Sequence, residues 1–391
     1  MKQGWEIKKL KECCRFVGGY TPSPSLLHTE GYTPYFKVSD MNRDGNSREL
    51  YNTELYLKEA KKTYPAGAIV FPKNGGAVLT NKKRILVTNS VVDLNTGVAI
   101  PNSDVNVDYL YYFFCGVDFC NFVKEGTLPV LKIKEIGELP IFLPPLAEQK
   151  RIVEILDREF EKIDALKANV ERSLQQVKDL FQAALKQELQ PKEGWETKRL
   201  SDICVITSSK RIFKSEYVAE GIPFYRTKEV KEIANNLPIS VELYISNEKY
   251  YEIKNKFGVP HINDLLVSAV GTIGEIMVVT DDKPFYFKDG NLVWLKGIQG
   301  VHSWYLKYYL KSIIDDIKNM TRGAAYNALT IEKFQTMDIC FSSMAEQKQI
   351  VMRLDKLSTL CKALEENYTK TMALCDDMKQ ALLRQAFNGE L

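Results

Sequence analysis

The chain has 391 residues and only three histidines, His28, His261 and His302. That is thin material for a histidine-based metal site or a hydrolytic triad. Its eight cysteines, at 13, 14, 115, 120, 204, 340, 361 and 375, form no Cys-x-x-Cys pair, which argues against a zinc ribbon or a thioredoxin-type site. Their irregular spacing in a chain of this length suits reduced, mostly buried thiols. No run approaches the roughly 18 apolar residues of a spanning helix; the densest, from Tyr109 to Val117, is broken by Gly116. The opening Met1-Lys2-Gln3-Gly4-Trp5-Glu6 has no apolar signal core, so a cytoplasmic location is expected. Excess charge is scarce too: 53 basic residues against 50 acidic leave +3. That excludes a polycationic arm or an acidic tail, but not a local DNA-binding patch.

Catalytic signatures are also missing. There is no G-x-x-x-x-G-K-[ST] loop, no G-x-G-x-x-G after a strand and no G-x-S-x-G elbow. Gly75-Gly76 could cradle a phosphate but reads as a tight turn. Leu143-Pro144-Pro145-Leu146 lacks the Asn of an Asn-Pro-Pro-aromatic methyltransferase motif and reads as a strand end before a helix. Glu252-x-Lys254, half of a nuclease carboxylate–lysine site, reads as a solvated helix face. The chain is therefore expected to be non-catalytic, with no metal and no cofactor of its own.

What is present is an internal repeat. Gly4-Trp5-Glu6 returns as Gly194-Trp195-Glu196, and Pro34-Tyr35-Phe36-Lys37 as Pro223-Phe224-Tyr225-Arg226. Tyr109-Leu110 returns as Tyr305-Leu306, and Ala147-Glu148-Gln149-Lys150 as Ala345-Glu346-Gln347-Lys348. The offset drifts from about 190 to 198 across the whole chain. Length alone suggests two to three domains. Each half begins with a part rich in Gly, Pro, Asn and aromatics, 1–146 and 194–344. These parts carry short β-like runs (Ala68–Phe71, Arg84–Val92, Leu265–Val270, Leu292–Leu295) and one helical segment apiece, at Leu110–Val117 and Trp304–Tyr309, so an α+β domain is expected in each.

The second part of each half, 147–193 and 345–391, is different. Neither copy has Gly or Pro before Pro191 or Gly389. Leu156, Ile163, Val170, Val177 and Ala184 recur every seven residues, and Val351, Leu354, Cys361, Tyr368 and Cys375 continue the pattern in the second copy. Two helices of about 42 residues, each about 63 Å long, are expected to pack antiparallel and return the chain end toward its start. Lys167 and Glu365 interrupt the seam at equivalent positions near the middle. They are expected to meet across it and fix the register, although both could instead snorkel to solvent.

The positive excess lies in the globular parts, +3 and +1, while the helices carry −1 and 0. Basic residues cluster with turn residues and aromatics, as in Lys73-Asn74, Asn81-Lys82-Lys83-Arg84, Ser208-Ser209-Lys210-Arg211 and Arg322-Gly323. Lys and Arg at phosphates give affinity, and polar side chains at base edges give specificity. The candidate DNA contacts are Ser39, Asn42, Arg43, Lys73, Asn74 and Lys132 in the first domain, and Arg226, Lys228, Arg322 and Asn327 in the second.

With these residues in view, the chain resembles the specificity subunit of type I restriction-modification systems over nearly its full length. The resemblance rests on Leu143-Pro144-Pro145-Leu146-Ala147-Glu148-Gln149-Lys150-Arg151-Ile152-Val153 and Met344-Ala345-Glu346-Gln347-Lys348-Gln349-Ile350-Val351. It rests also on Leu185-Lys186-Gln187-Glu188-Leu189, Leu383-Arg384-Gln385-Ala386-Phe387-Asn388-Gly389-Glu390-Leu391 and Gly126-Thr127-Leu128-Pro129. The second copy departs from the pattern, with Phe341-Ser342-Ser343 for the Pro-rich lead-in and Gly323-Ala324-Ala325-Tyr326 for Gly-Thr-Leu-Pro. The resemblance implies two target-recognition domains reading the halves of a split, asymmetric double-stranded DNA site. It implies helices that dock two modification subunits, which bind S-adenosylmethionine and methylate adenine, and restriction subunits that use ATP and Mg. Glu148, Gln149, Glu346 and Gln347 are the docking candidates; helix N-terminal capping is their other reading. A catalytic reading would require S-adenosylmethionine or metal binding by the chain alone. A structural-adaptor reading predicts no sequence-selective DNA binding even with partners.

Overall fold

The computed structural model describes residues 4–124, 126, 128–320 and 329–391, and of 315–320 the backbone. The chain divides into two compact units, Met1–Glu171 with Thr369–Leu391, and Arg172–Tyr368. Among the described residues, no helix is long and apolar enough to cross a membrane.

In unit 1 the strands are β1 (Glu6–Lys9), β2 (Cys14–Gly18), β3 (Thr33–Phe36), β4 (Glu49–Leu50), β5 (Leu55–Leu57), β6 (Ile69–Pro72), β7 (Arg84–Leu86), β8 (Val91–Val92), β9 (Thr96–Pro101), β10 (Val123–Lys124), β11 (Val130–Leu131) and β12 (Pro140–Leu143). The helices are α1 (Leu10–Cys13), α2 (Val107–Gly116), α3 (Ile133–Gly137) and the long α4 (Leu146–Leu189). The main sheet has the order β2-β9-β6-β7-β4, and a second sheet the order β5-β3-β8. The expected single run Arg84–Val92 is two strands, because β7 joins the first sheet and β8 the second. Asn106 starts α2 by accepting the Tyr109 N–H at 2.9 Å.

Unit 2 holds β13 (Glu196–Arg199), α5 (Leu200–Ile203), β14 (Val205–Thr207), β15 (Tyr217–Val218), β16 (Ile222–Tyr225), α6 (Thr227–Ala234), β17 (Tyr244–Ile245) and α7 (Asn247–Phe257). It continues with β18 (Leu265–Ser268), β19 (Ile276–Val278), β20 (Tyr286–Phe287), β21 (Leu292–Lys296), α8 (Ser303–Met320), α9 (Ile331–Gln335), β22 (Asp338–Phe341) and the long α10 (Met344–Phe387). Its sheets run β14-β21-β18-β19 and β15-β17-β16-β20. The repeat is visible in register: Glu6 pairs with Leu143 and Glu196 with Phe341, each closing a two-stranded antiparallel ribbon just before a long helix.

Each long helix gives one half to each unit. In unit 1, Ile152, Val153 and Leu156 of α4 and Leu383 and Ala386 of α10 join the core of Trp5, Leu10, Tyr109, Leu110 and Phe114. Phe387 packs edge-on against Tyr109 and Phe113, with ring centroids 5.0 and 5.3 Å apart, so the chain end does return to the first globular part. In unit 2, Leu185 and Leu189 of α4 and Ile350, Val351 and Leu354 of α10 serve Tyr305, Leu306 and Leu310 in the same way. Of the seam residues, Leu156, Ile163, Val170, Val177, Val351, Leu354, Cys361 and Cys375 are buried, while Ala184 and Tyr368 are half-buried. The two helices are therefore antiparallel within each unit.

The register pair is a correction. Lys167 Nζ donates to Asp376 at 2.6 Å, and Lys379 donates to Asp164 at 2.5 Å. Glu365 lies 11 residues before Asp376, about 16 Å along α10. Lys167 with Asp376 and Asp164 with Lys379 give the same antiparallel register, since both pairs of numbers sum to 543. Sequence equivalence locates matching positions but not where antiparallel helices cross.

Candidate nucleic-acid interface

A buried carboxylate organises the loop after β3. Asp40 accepts the Lys37 N–H at 2.7 Å and Arg43 Nε at 3.3 Å, and Arg43 Nη1 reaches Glu54 at 3.0 Å. Buried Asn46 donates to the carbonyls of Asp40 and Asn52, both at 2.8 Å, and accepts the N–H groups of Tyr51 and Asn52 at 2.9 Å. Arg84 bonds the carbonyls of Met41 and Asn46 at 2.9 and 2.5 Å. Ser39 and Asn42 are exposed on this loop, and Asn42 Oδ1 accepts from Lys82 Nζ. Arg43, a candidate DNA contact, is paired with Asp40 and Glu54.

Lys83 in the neighbouring basic run is 3 % exposed. Its Nζ donates to Asn81 Oδ1 at 2.6 Å and the Val117 carbonyl at 2.8 Å, and sits 4.2 Å from the Phe119 ring centre. Burial pushes its pKa down to about 8. With Lys83 buried and Arg84 bonded to backbone, Lys82 is the cation of this run that meets the exposed Asn42 side chain.

Lys73, Asn74 and Lys132 come from separate segments onto one strip. The Leu131 N–H donates to the Lys73 carbonyl and the Gly75 N–H to the Pro129 carbonyl, both at 2.8 Å, while Asn74 bridges Val130. Gly75 is a turn residue, with φ of +80°. Lys132 precedes α3, its Nζ 3.2 Å from Glu135. Leu128 beside this strip is 70 % exposed.

In unit 2 the equivalent of Asp40 is Glu229, fully buried at the start of α6. It accepts the Arg226 N–H at 2.7 Å and Arg226 Nη2 at 2.7 Å. Burial alone would raise the Glu229 pKa, but the bonds from Arg226 and from backbone N–H groups more than offset it and hold it below the usual range. Arg226 also meets Glu242 at 2.9 Å, and Lys228 bonds the same carboxylate. These two cations shape the entry to α6 rather than standing free. Arg322 and Asn327 lie outside the described residues.

At the helix entrances, two docking candidates need correction. Gln149 and Gln347 are 1 % and 0 % exposed. Gln149 accepts the Asn106 N–H at 2.7 Å and donates to the carbonyls of Asp104 and Pro144 at 3.1 and 2.8 Å. Gln347 accepts the His302 N–H at 2.7 Å and donates to the carbonyls of Gly300 and Ser342 at 3.3 and 2.8 Å. Both side chains pin the long helix to the start of α2 or α8 and offer nothing to a partner. Glu148 and Glu346 remain half-buried at the surface; Arg151 donates to Glu148 at 2.7 and 2.8 Å.

Sequence reasoning missed Arg48. It donates to Asp108 at 2.5 Å and to Asp157 of α4 at 2.9 Å, and lies over the rings of Tyr111 and Tyr112. The hydroxyl of Tyr112 also bonds Asp157, and Tyr308 bonds Asp355 at 2.5 Å. The repeat held the signal: the two tyrosines are 196 apart and the two aspartates 198. The segments read as a solvated helix face and as a strand end before a helix behave so: Glu252 pairs with Lys249 and Lys256 on α7, and Pro144-Pro145 separates the end of β12 from the start of α4.

The sequence matches the family described as "Type I restriction modification DNA specificity domain" twice, over residues 2–176 and 192–372. It is 26 % identical over 369 residues to a Haemophilus influenzae protein named as a type I restriction enzyme specificity subunit, covering 92 % of this chain and 89 % of that protein. It is 24 % identical to the Escherichia coli EcoBI specificity subunit, covering 93 % and 84 %. In fold it is similar to a chain from a solved type I R-M system, with a TM-score of 0.80 at 22 % identity, covering 100 % of this chain and 99 % of that one. The HsdS subunit from Thermoanaerobacter tengcongensis gives a TM-score of 0.56 at 22 % identity, covering 100 % and 98 %.

Proposed function

Because the chain belongs to the family of type I restriction-modification DNA specificity domains, we propose that its two globular parts read the two halves of a split, asymmetric DNA sequence. One observation carries this reading. The scaffold is built twice with the same anchors, Gln149 and Gln347, Tyr112–Asp157 and Tyr308–Asp355, while the exposed loops differ. Identical anchoring with divergent loops suits one binding mode applied to two different sequences.

The chain acts as the recognition subunit of a complex and performs no reaction itself. Ser39, Asn42 and Lys82 on one loop cluster, and Lys73, Asn74 and Lys132 on another, meet the duplex in unit 1. Two modification subunits dock on the long helices and bring S-adenosylmethionine-dependent adenine methylation; restriction subunits bring ATP and Mg. An open groove supports docking in unit 1. Ile163 and Leu166 of α4 face Met378, Ala381 and Leu382 of α10 there, and Leu166 and Met378 are about half exposed. Such apolar exposure on a helix pair marks an interaction surface.

The test is single-base mapping of adenine methylation. The chain is expressed with its modification subunit in a methylation-free host, and each globular part is exchanged in turn. A split motif whose left or right half changes with the exchanged part supports the reading. No methylation from a soluble assembled complex overturns it in favour of an adaptor role. Methylation by the chain alone overturns the non-catalytic assignment.

A further inference from the structure

Unit 2 gathers three lysines where unit 1 has none. Lys307 and Lys311 lie one turn apart on the same face of α8. Lys362 of α10 lies close enough to repel both, and its Nζ donates to the Asn235 carbonyl at the end of α6 at 3.4 Å. The Lys307 Nζ rests 4.6 Å from the centre of the Trp304 ring.

Among the described residues, no carboxylate lies within ion-pair distance of any of the three. Three acids act on them from further off: Asp355 accepts the Tyr308 hydroxyl at 2.5 Å, Glu275 accepts Asn235 Nδ2 at 3.0 Å, and Glu365 lies three residues after Lys362 on α10. Burial first, and then repulsion from Lys311 and Lys362, pushes the Lys307 pKa down to about 8. Burial and Lys311 push the Lys362 pKa down too.

The repeat supplies an internal control. The residues equivalent to Lys307 and Lys311 are Tyr111 and Cys115, 196 earlier; the one equivalent to Lys362 is Asp164, 198 earlier. The cation at that place in unit 1, Arg48, is matched by Asp108 and Asp157. A lysine cluster without ion pairs is thus not a requirement of the scaffold. Like charges held together without a counter-charge cost stability, and a bound anion offsets that cost. Lysines without a planar partner act as point charges, the way phosphates are held without base readout.

We infer that Lys307, Lys311 and Lys362 form a phosphate-binding site, occupied by a backbone phosphate of the DNA duplex that unit 2 engages. This rests on the proposed DNA-reading function and adds to it a sequence-independent anchor on the helices, apart from the recognition loops. The anchor belongs to unit 2 alone, so the two half-sites are held with unequal electrostatic strength.

The experiment compares the assembled complex carrying wild-type chain with one carrying Lys307→Gln, Lys311→Gln and Lys362→Gln together. Affinity for duplex DNA is measured across a salt series. The expected result is a salt slope smaller by about 1, weaker binding to every sequence alike by about tenfold at low salt, and an unchanged methylation motif. Equal slopes and affinities overturn the inference and leave the reading of the split site standing. Unchanged DNA binding with weaker subunit assembly also overturns it and makes the cluster a protein-docking site. If the wild-type complex reads no DNA at all, inorganic phosphate is titrated into the isolated chain by calorimetry. Binding that the triple variant loses keeps the anion site with a free anion as its source; no binding overturns it. Should the triple variant fail to fold, Lys311→Gln alone is measured the same way, with the same outcomes.

Discussion

Gln149 Oε1 accepts the backbone N–H of Asn106 at 2.7 Å, and the same glutamine spends its amide on two carbonyls. The contact ties the first turn of a 44-residue helix to the residue that caps the neighbouring helix. Gln347 repeats it on His302. A single amide on each helix thus sets where the globular part sits on it.

Gln149→Ala is expected to leave one N–H and two carbonyls buried without partners. The cost is about 2–4 kcal/mol, read as a lower midpoint in urea unfolding. Gln347→Ala should behave alike. Glu148→Ala, half-exposed and paired with Arg151, should shift stability by less than about 1 kcal/mol. A small effect from both glutamines would show that the helix entrances are held by packing instead.

Reversing one charge, Lys167→Glu, is expected to be rescued by Asp376→Lys and not by Glu365→Lys. The side chain of Asp376 is well exposed, so a double-mutant cycle should give a coupling of about 0.5 kcal/mol. Rescue through position 365 would contradict the observed helix register.

Arg226→Ala should destabilise unit 2 by about 3 kcal/mol, because it strands the buried Glu229 carboxylate. The acid limb carries the sign. In the wild type the Glu229 pKa is held below 4.5, so its contribution is present above that value and lost as pH falls through the lower folded value. Without Arg226, burial raises that pKa, and the loss begins at higher pH. Urea unfolding at several pH values between 3 and 7 measures it, and Glu229→Gln in the same background should recover part of the loss.

Lys83 predicts the opposite limb. Its folded pKa is near 8 against 10.5 for an ordinary lysine. Between those values the unfolded chain holds a proton that the folded chain has released, so stability rises with pH, by ~1.4 kcal/mol per unit at most. Lys83→Met should flatten that rise relative to wild type between pH 8 and 10. An identical slope in both proteins would mean that Lys83 stays charged in the fold.

Which basic residues stand free of ion pairs was legible only in part, and Arg43 and Arg226 show why. Basic residues beside turns read alike in sequence whether they face solvent or a carboxylate. Asp40 lies three residues before Arg43 and Glu229 three after Arg226, but only the fold buries those acids. Lys83 is the extreme case, a lysine in a basic run that turns inward to an aromatic ring and a helix end.

The sequence by itself determined the twofold plan, the long helices and their seam. Those depend on periodicity and repetition, which are properties of the chain's order: Leu156, Ile163, Val170 and Val177 recur at 7-residue spacing and are buried at that spacing. It also determined the family, through motifs at the helix entrances. Only the tertiary structure decided the helix register, the inward turn of Gln149 and Gln347, and the meeting of Lys307 and Lys311 with Lys362. Each of these depends on which distant residues arrive opposite one another, and burial then fixes whether a polar group is spent inside the protein or offered outside it.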